Sequence, residues 1–475
     1  MIEPLRILHV TSEVAPFAKT GGLGDVCGAL PAAQRGLGLW TAVVAPCYRQ
    51  VPRDLWVETG IRFPVRVGRR VTMVDVRRGE LSGGVPVYLV HAPEAFDRPG
   101  LYGPRAGEDF ADNAWRFGLL AEAALVMSRR LRLHPDVMHC HDWQAGLVPL
   151  HCHERLGRLI RTVFTVHNLG YHGSFSRDAM DELGLDPTLF HPEGIEFWGW
   201  MSFLKAGLVY ADKLTTVSPA YAAEVQTAEH GHGLDGMLRA RQKDLVGILN
   251  GVDYADRDPR VDRWIPTQFD AEDLAGKAAC RTALERALRI ESGTTPLFGI
   301  VSRLAPQKGM DLVPEAVAGL VDAGKMRLAI LGQGDPTIEA VLPTLEKRWP
   351  GKVGVRIAYD ENLSRLIIAG ADAMLVPSRY EPCGLTQLYA LRYGTLPIVR
   401  LTGGLRDTVQ DGRTGFAFQE PEPKALAVAI ERAIATFQDP ARWREMQRAA
   451  MGEDFSWTRS AVRYAELYDE VHQRE

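Results

Sequence analysis

Short apolar runs alternate with longer stretches of helical periodicity along the whole chain. LRILHVTS (5–12), WTAVVAP (40–46), VPVYLVHAP (85–93), VMHCHDW (137–143), RTVFTVHN (161–168) and DKLTTVSP (212–219) read as strands. Their β-branched content, with little polar alternation, suits strands buried on both faces of a parallel sheet. Helical patterns lie between them, as in FADNAWRFGLLAEAALVMSRRL (110–131). The series then restarts with PLFGIVSRL (296–304), MRLAILGQG (326–334), VGVRIAYD (353–360), AMLVPSR (373–379), LPIVRLTGG (396–404) and GFAFQ (415–419). Two successive βαβ series predict two doubly wound α/β domains. The changeover falls near 245–262, where Gly, Asn, Asp and Pro cluster. Ligands of such sheets bind beyond the carboxyl ends of the strands, so two facing sheets would hold one ligand in the cleft between them.

A length of 475 residues agrees with two domains of ordinary size, and 46% hydrophobic with 24% charged residues is ordinary for a globular protein. A formal net charge of −4 favours neither nucleic acid nor an anionic membrane. The longest apolar runs fall short of a membrane span, and MIEPLRILHVTSE lacks a secretory pattern, so the expected location is the cytoplasm. Cys27, Cys47, Cys140, Cys152, Cys280 and Cys383 form no C-x-x-C pair and read as reduced thiols.

Candidate chemistry begins at AKTGGLGDV (18–26). It is no Walker loop, and as a dinucleotide fingerprint it fails: Gly22 and Gly24 supply G-x-G, but Cys27 holds the third glycine position. What remains is a loop running into a helix near Leu23, where Gly21 and Gly22 let an anion approach the backbone and Lys19 adds a cation. The alternative is a tight turn with a solvated lysine. In VSRLAPQKG (301–309), Arg303 and Lys308 follow the first strand of the second series and can converge on one phosphate, or remain solvated. In PSRYEPCGLTQLYALRYG (377–394), a helix is expected from about Cys383–Gly384. Glu381 just before it either caps that helix or holds a sugar, with the Gly384 and Leu385 amides open to a ligand oxygen.

MHCHDWQAGLVPLHCHERLG (138–157) invites a zinc reading, but the spacing argues against it: His139 and His141 share a strand face while Cys140 points away, and 151–153 fan around a helix. Asp142 and Trp143 at the strand end suit a sugar site instead, as do His167 and Asn168, the alternative being that His167 is structural. Tyr359 either stacks on a base or packs in the core.

Taken in order, KTGGLGD, HDW, TVHN, SFLKAGLVYADKLTTVSP, LNGVD, SRLAPQKG and EPCGLTQLYALRYGT resemble the motifs of bacterial glycogen synthases and plant starch synthases. The resemblance spans residues 6 to 460. It implies a GT-B fold, two Rossmann-like domains about a deep cleft: an acceptor-side domain over 1–248, a nucleotide-sugar domain over 249–455, and a last helix (456–475) packing back on the first. It implies transfer of glucose from ADP-glucose to the non-reducing end of an α-1,4-glucan such as glycogen, with retention, with no metal and no cofactor.

By the same resemblance, Lys19 and Gly22 contact the donor phosphates and Asp25 the nucleotide side. Arg303 and Lys308 neutralise the departing diphosphate, and Glu381 holds the donor glucose. Cys383, Gly384, Leu385 and Thr386 lie nearby, and His167 and Asn250 also touch that glucose. Tyr359 stacks on adenine, and Glu13, Tyr102, Asp142 and Asn168 border the acceptor. Two positions depart from the wider pattern: Tyr389 stands where many retaining GT-B enzymes have a second glutamate, removing a ribose ligand, and Gln144 replaces a histidine after HDW. A UDP-glucose-using synthase, a sugar-nucleotide epimerase and an inactive glucan-binding protein remain as alternatives. A phosphorylase would need a pyridoxal lysine motif, which is absent.

Overall fold

The computed structural model describes residues 4–105, 107–157 and 159–473; the last two positions of the expected final helix lie outside them. The chain divides into two compact units. The first comprises the described residues up to Val217, Ala222–Gly251 and those from Trp457 onward; the second comprises Ser218–Tyr221 and Val252–Ser456.

In the first unit the strands are β1 Arg6–Val10, β2 Trp40–Pro46, β3 Trp56–Val67, β4 Arg70–Leu81, β5 Val85–His91, β6 Val137–His141, β7 Arg161–Val166, β8 Ser174–Phe175, β9 Glu196–Phe197, β10 Trp200–Ser202, β11 Lys213–Thr216 and β12 Leu245–Gly247. Nine form one sheet in the order β12-β11-β7-β6-β1-β2-β5-β4-β3, and β8-β10-β9 form a small antiparallel one. The expectation of a purely parallel sheet is corrected here, because β4 runs antiparallel to both β5 and β3. The missed hairpin differs from its neighbours in pattern. Phe63, Val65 and Val67 are buried with exposed residues between them, the alternation of a sheet end with one face in water.

The helix Asn113–Arg130 forms inside the expected 110–131. The final helix, Trp457–His472, packs Trp457, Ala461, Tyr464, Leu467, Tyr468 and Val471 on Ile7, Val26, Leu30, Val137 and Val163. Those positions recur at helical spacing, so one apolar stripe faces this unit's core. Among the described residues no helix is long and apolar enough to cross a membrane.

In the second unit, β13 Leu297–Leu304, β14 Arg327–Gly334, β15 Val353–Ile357, β16 Ala373–Val376, β17 Leu396–Arg400 and β18 Phe416–Phe418 form a parallel sheet ordered β15-β14-β13-β16-β17-β18. That is the doubly wound order, with its reversal between β13 and β16; in the first unit the strand order reverses between β1 and β6. Chain crossovers diverge at such points and leave a crevice beyond the strand ends, where ligands bind.

Candidate active site

In the first unit, β1 leads into a loop organised by the buried carboxylate of Glu13. Its Oε2 accepts from the Thr20 amide (2.6 Å) and the Gly21 amide (3.3 Å), and its Oε1 accepts from the Thr20 hydroxyl and the Tyr102 phenol (both 2.6 Å). The Gly21 amide thus serves an internal anion, and Glu13 anchors the loop. The helix Gly22–Gly36 follows, and Lys19 Nζ donates to Asp25 Oδ1 (2.7 Å) across its first turn.

Beside this loop, β6 ends at Asp142, whose backbone sits at φ +56°, ψ −179°, a region that residues with side chains rarely occupy. Its amide donates to Thr165 O (2.9 Å) and its Oδ1 accepts from the His167 amide (2.7 Å), tying β6 to β7. Burial, helped by the charge of Glu13 and opposed by the His167 and Asn168 amides, raises the Asp142 carboxyl from 3.8 to about 7. The folded protein thus keeps this proton to higher pH than the unfolded chain does. The associated stability is complete below the ordinary aspartate range and is lost as pH rises through about 7. Asp142→Asn cannot ionise, so its melting temperature relative to the parent should rise between about pH 5 and about pH 8.5. A pH-independent difference would contradict this.

Four imidazoles connect β1, β6 and β7. His9 Nε2 lies 2.7 Å from Gln34 Oε1, His9 Nδ1 3.0 Å from His141 Nε2, and His141 Nδ1 3.1 Å from His167 Nε2. Gln34 Nε2 donates to the Tyr468 hydroxyl (2.8 Å), and His139 sits between Tyr468 and Thr165. Burial lowers His9 to about 4 and His167 to about 3, and holds His139 and His141 well down, so the rings are neutral.

A neutral ring donates from one nitrogen only. With the Gln34 oxygen towards His9, His9 donates from Nε2, His141 from Nε2 to His9, and His167 from Nε2 to His141. His167 Nδ1 is then the lone-pair nitrogen. ¹⁵N-histidine NMR should show His167 as the Nε2–H tautomer, and Gln34→Leu should erode that preference; an Nδ1–H tautomer in the parent would contradict the chain. The nitrogens of His9, His139 and His141 approach within 4.8 Å of one another, yet each already has a hydrogen-bond partner.

In the second unit, Arg303 lies at the exposed end of β13, with Nη2 3.3 Å from Gln307 Oε1. Lys308 Nζ donates to Glu381 Oε2 (2.6 Å), which also accepts from the Ser378 hydroxyl (2.8 Å). Glu381 is only 6% exposed. The helix beyond it runs Thr386–Arg392, so the expected start at Cys383–Gly384 is corrected. Glu381 is no helix cap; it is the partner of Lys308. Cys383, Gly384 and Leu385 form the lead-in, with Gly384 at φ +76°. Tyr359, beyond β15, is 75% exposed, so it does not pack in the core. Asn250 is buried in the first unit, and its Oδ1 has no hydrogen-bond partner among the described residues.

Residues 6–240 match the model of the starch synthase catalytic domain, and residues 285–450 that of the glycosyl transferases group 1. The chain is 46% identical to the glycogen synthase of Thioalkalivibrio sulfidiphilus, over 98% of its own length and all of that protein. It belongs to the glycogen and starch synthase family. Another glycogen synthase, from Myxococcus xanthus, is also 46% identical over 98% of this chain and 99% of its own. The catalytic domain of starch synthase IV from Arabidopsis thaliana, solved bound to ADP and acarbose, superposes with a TM-score of 0.93 at 33% identity, covering 99% of this chain and 100% of that one. The synthase fold is GT-B, and the chain is a hexosyltransferase of this family.

Each unit gathers sequence-predicted residues at its own switch point, Glu13, Lys19, Tyr102, Asp142, His167 and Asn168 in the first and Arg303, Lys308 and Glu381 in the second, whereas Asn250 and Tyr359 follow the edge strands β12 and β15. Sequence reasoning missed the supporting residues His9, Gln34, His141, Tyr468 and Ser378. Strand alternation could place His9 and His141 inside, but nothing local links Gln34 to Tyr468, 434 residues away.

Proposed function

We propose that the chain transfers glucose from ADP-glucose to the 4-hydroxyl at the non-reducing end of an α-1,4-glucan, with retention at the anomeric carbon. The observation that carries this reading is the whole-chain likeness to a starch synthase solved bound to ADP and acarbose. The donor phosphates are assigned to Lys19 and Gly22 of the first unit and to Arg303 and Lys308 of the second. As the bond from the anomeric carbon to the phosphate oxygen breaks, negative charge grows on the diphosphate, and these preorganised cations stabilise it without a metal or resident cofactor. The acceptor oxygen forms its bond to the anomeric carbon on the same face and passes its proton to the departing ADP oxygen.

Asp25 holds Lys19 until the donor arrives. Lys308 and Ser378 both bond Glu381 Oε2, so Oε1 serves the glucose. His167 Nδ1 and the Asn250 side-chain oxygen accept from its hydroxyls. Cys383, Gly384, Leu385 and Thr386 line the donor, and Tyr359 stacks on adenine. Glu13, Tyr102, Asp142 and Asn168 border the acceptor, and Glu13 also anchors the loop that carries Lys19. The setting is the cytoplasm. Rates with ADP-glucose and UDP-glucose, each with glycogen, test the donor assignment. A clear preference for ADP-glucose is expected, and equal or faster transfer from UDP-glucose would overturn it.

A further inference from the structure

Phe197 pairs with Trp200 across β9 and β10, so Trp198 and Gly199 alone form the hairpin loop. Both have positive φ, +53° and +82°, as a type I′ turn requires. Asn or Asp usually stands first in such a loop, because a short polar side chain tolerates that backbone region and a bulky ring does not. Trp198 is nevertheless 79% exposed and Trp200 53% exposed. Folding gains little from an indole placed in water on a strained backbone, so the choice of Trp198 points to a ligand.

The two indoles, with Phe197 and Ser174, line an open concavity of about 390 Å³. Its lining carries no charge, and the nearby Glu196 carboxylate is used by the Gly199 amide (2.6 Å). The patch continues into the acceptor side of the candidate site. Phe197 meets the His172 ring edge-on at 4.8 Å, and His172 lies in the loop that leaves Asn168. Phe175 of β8 packs 5.9 Å from Trp143, beside Asp142. Gly173 lies against the same indole, where an added Cβ would approach Trp143 to 2.4 Å.

We propose that this hairpin is a platform for the α-1,4-glucan chain beyond the reacting end, with Trp198 and Trp200 stacking on the apolar faces of successive glucose rings. Aromatic rings with a polar edge suit a sugar, whose ring faces present C–H groups and whose rim presents hydroxyls. Four lining residues are far fewer than the roughly 20–30 per side of a stable protein interface, which favours a glucan over a protein partner. The proposal rests on the glucan-acceptor reading above.

The test is affinity electrophoresis of the full chain in gels containing glycogen, alongside elongation of glycogen from ADP-glucose. Trp198→Asn puts a suitable residue in the turn and should melt no lower than the parent. Trp200→Thr keeps a strand-forming residue in β10. Each should weaken glycogen binding about five- to tenfold, whereas Leu159→Ala, at an exposed leucine outside the patch, should leave it unchanged. If the parent binds and elongates glycogen and both tryptophan variants bind it as tightly, the platform is overturned while the reaction reading stands. If the parent neither binds nor elongates glycogen, both fall.

Discussion

Lys308→Ala should lower kcat about a hundredfold to a thousandfold with little change in the KM for ADP-glucose, the size of effect seen when one preorganised donor to a developing anion is removed. The geometry behind this is the 2.6 Å contact from Lys308 Nζ to Glu381 Oε2. The ammonium is fixed before the donor arrives, so it need not reorganise as charge moves onto the diphosphate. Truncation also leaves the nearly buried Glu381 carboxylate with the Ser378 hydroxyl but without its cation. The melting temperature separates the two causes. Glu381→Gln added to Lys308→Ala removes the unpaired buried charge and should restore stability, whereas the loss of kcat should persist. Arg303→Ala should act in the same direction with an unchanged melting temperature, since Arg303 is exposed. A near-normal kcat in either single variant would remove these cations from the chemistry.

Gly309→Ala and Gly21→Ala should part in opposite ways. Gly309 has φ +64°, and an added Cβ would lie 2.1 Å from Pro377 O, backbone that cannot swing aside. The expected cost is about 3 kcal/mol of stability, with loss of activity as Lys308 and the loop at 377 are pushed apart. Gly21 has an extended backbone at φ −160°, and nothing lies within 4 Å of an added Cβ. Folding does not need glycine there, so Gly21→Ala should melt at or above the parent temperature. A fall in its activity would then report crowding of the donor phosphates. Melting and steady-state kinetics on the two variants check this, and a large stability loss in Gly21→Ala would contradict it.

Much of this was legible from sequence because parallel strands advertise themselves. β1, β6, β7, β13 and β16 are short, largely buried runs without regular polar alternation, and the residues just past their ends are those at the switch points. Arg303, Lys308 and Glu381 could be named as a group for that reason. The hairpin of β3 and β4 escaped because it alternates rather than running apolar, and Pro64 and Gly60 interrupt it. The start of the helix at Thr386 was misplaced because Gly384 suggests a turn without fixing which residue begins the helix. The pairing of Glu13 with the Thr20 and Gly21 amides was hidden for another reason: the sequence marks the anion-friendly loop but not that a carboxylate of the protein takes two of its amides. The histidine chain depends on contacts between distant strands, which no local pattern records.

Glucosyl transfer to a glucan is measured most directly as ADP release from ADP-glucose with and without glycogen, combined with α-specific glucosidase digestion of the elongated product. ADP release that depends on glycogen, matched by new α-linked glucose, is the predicted result. ADP release at the same rate without glycogen, or product resistant to the α-specific enzyme, would contradict it.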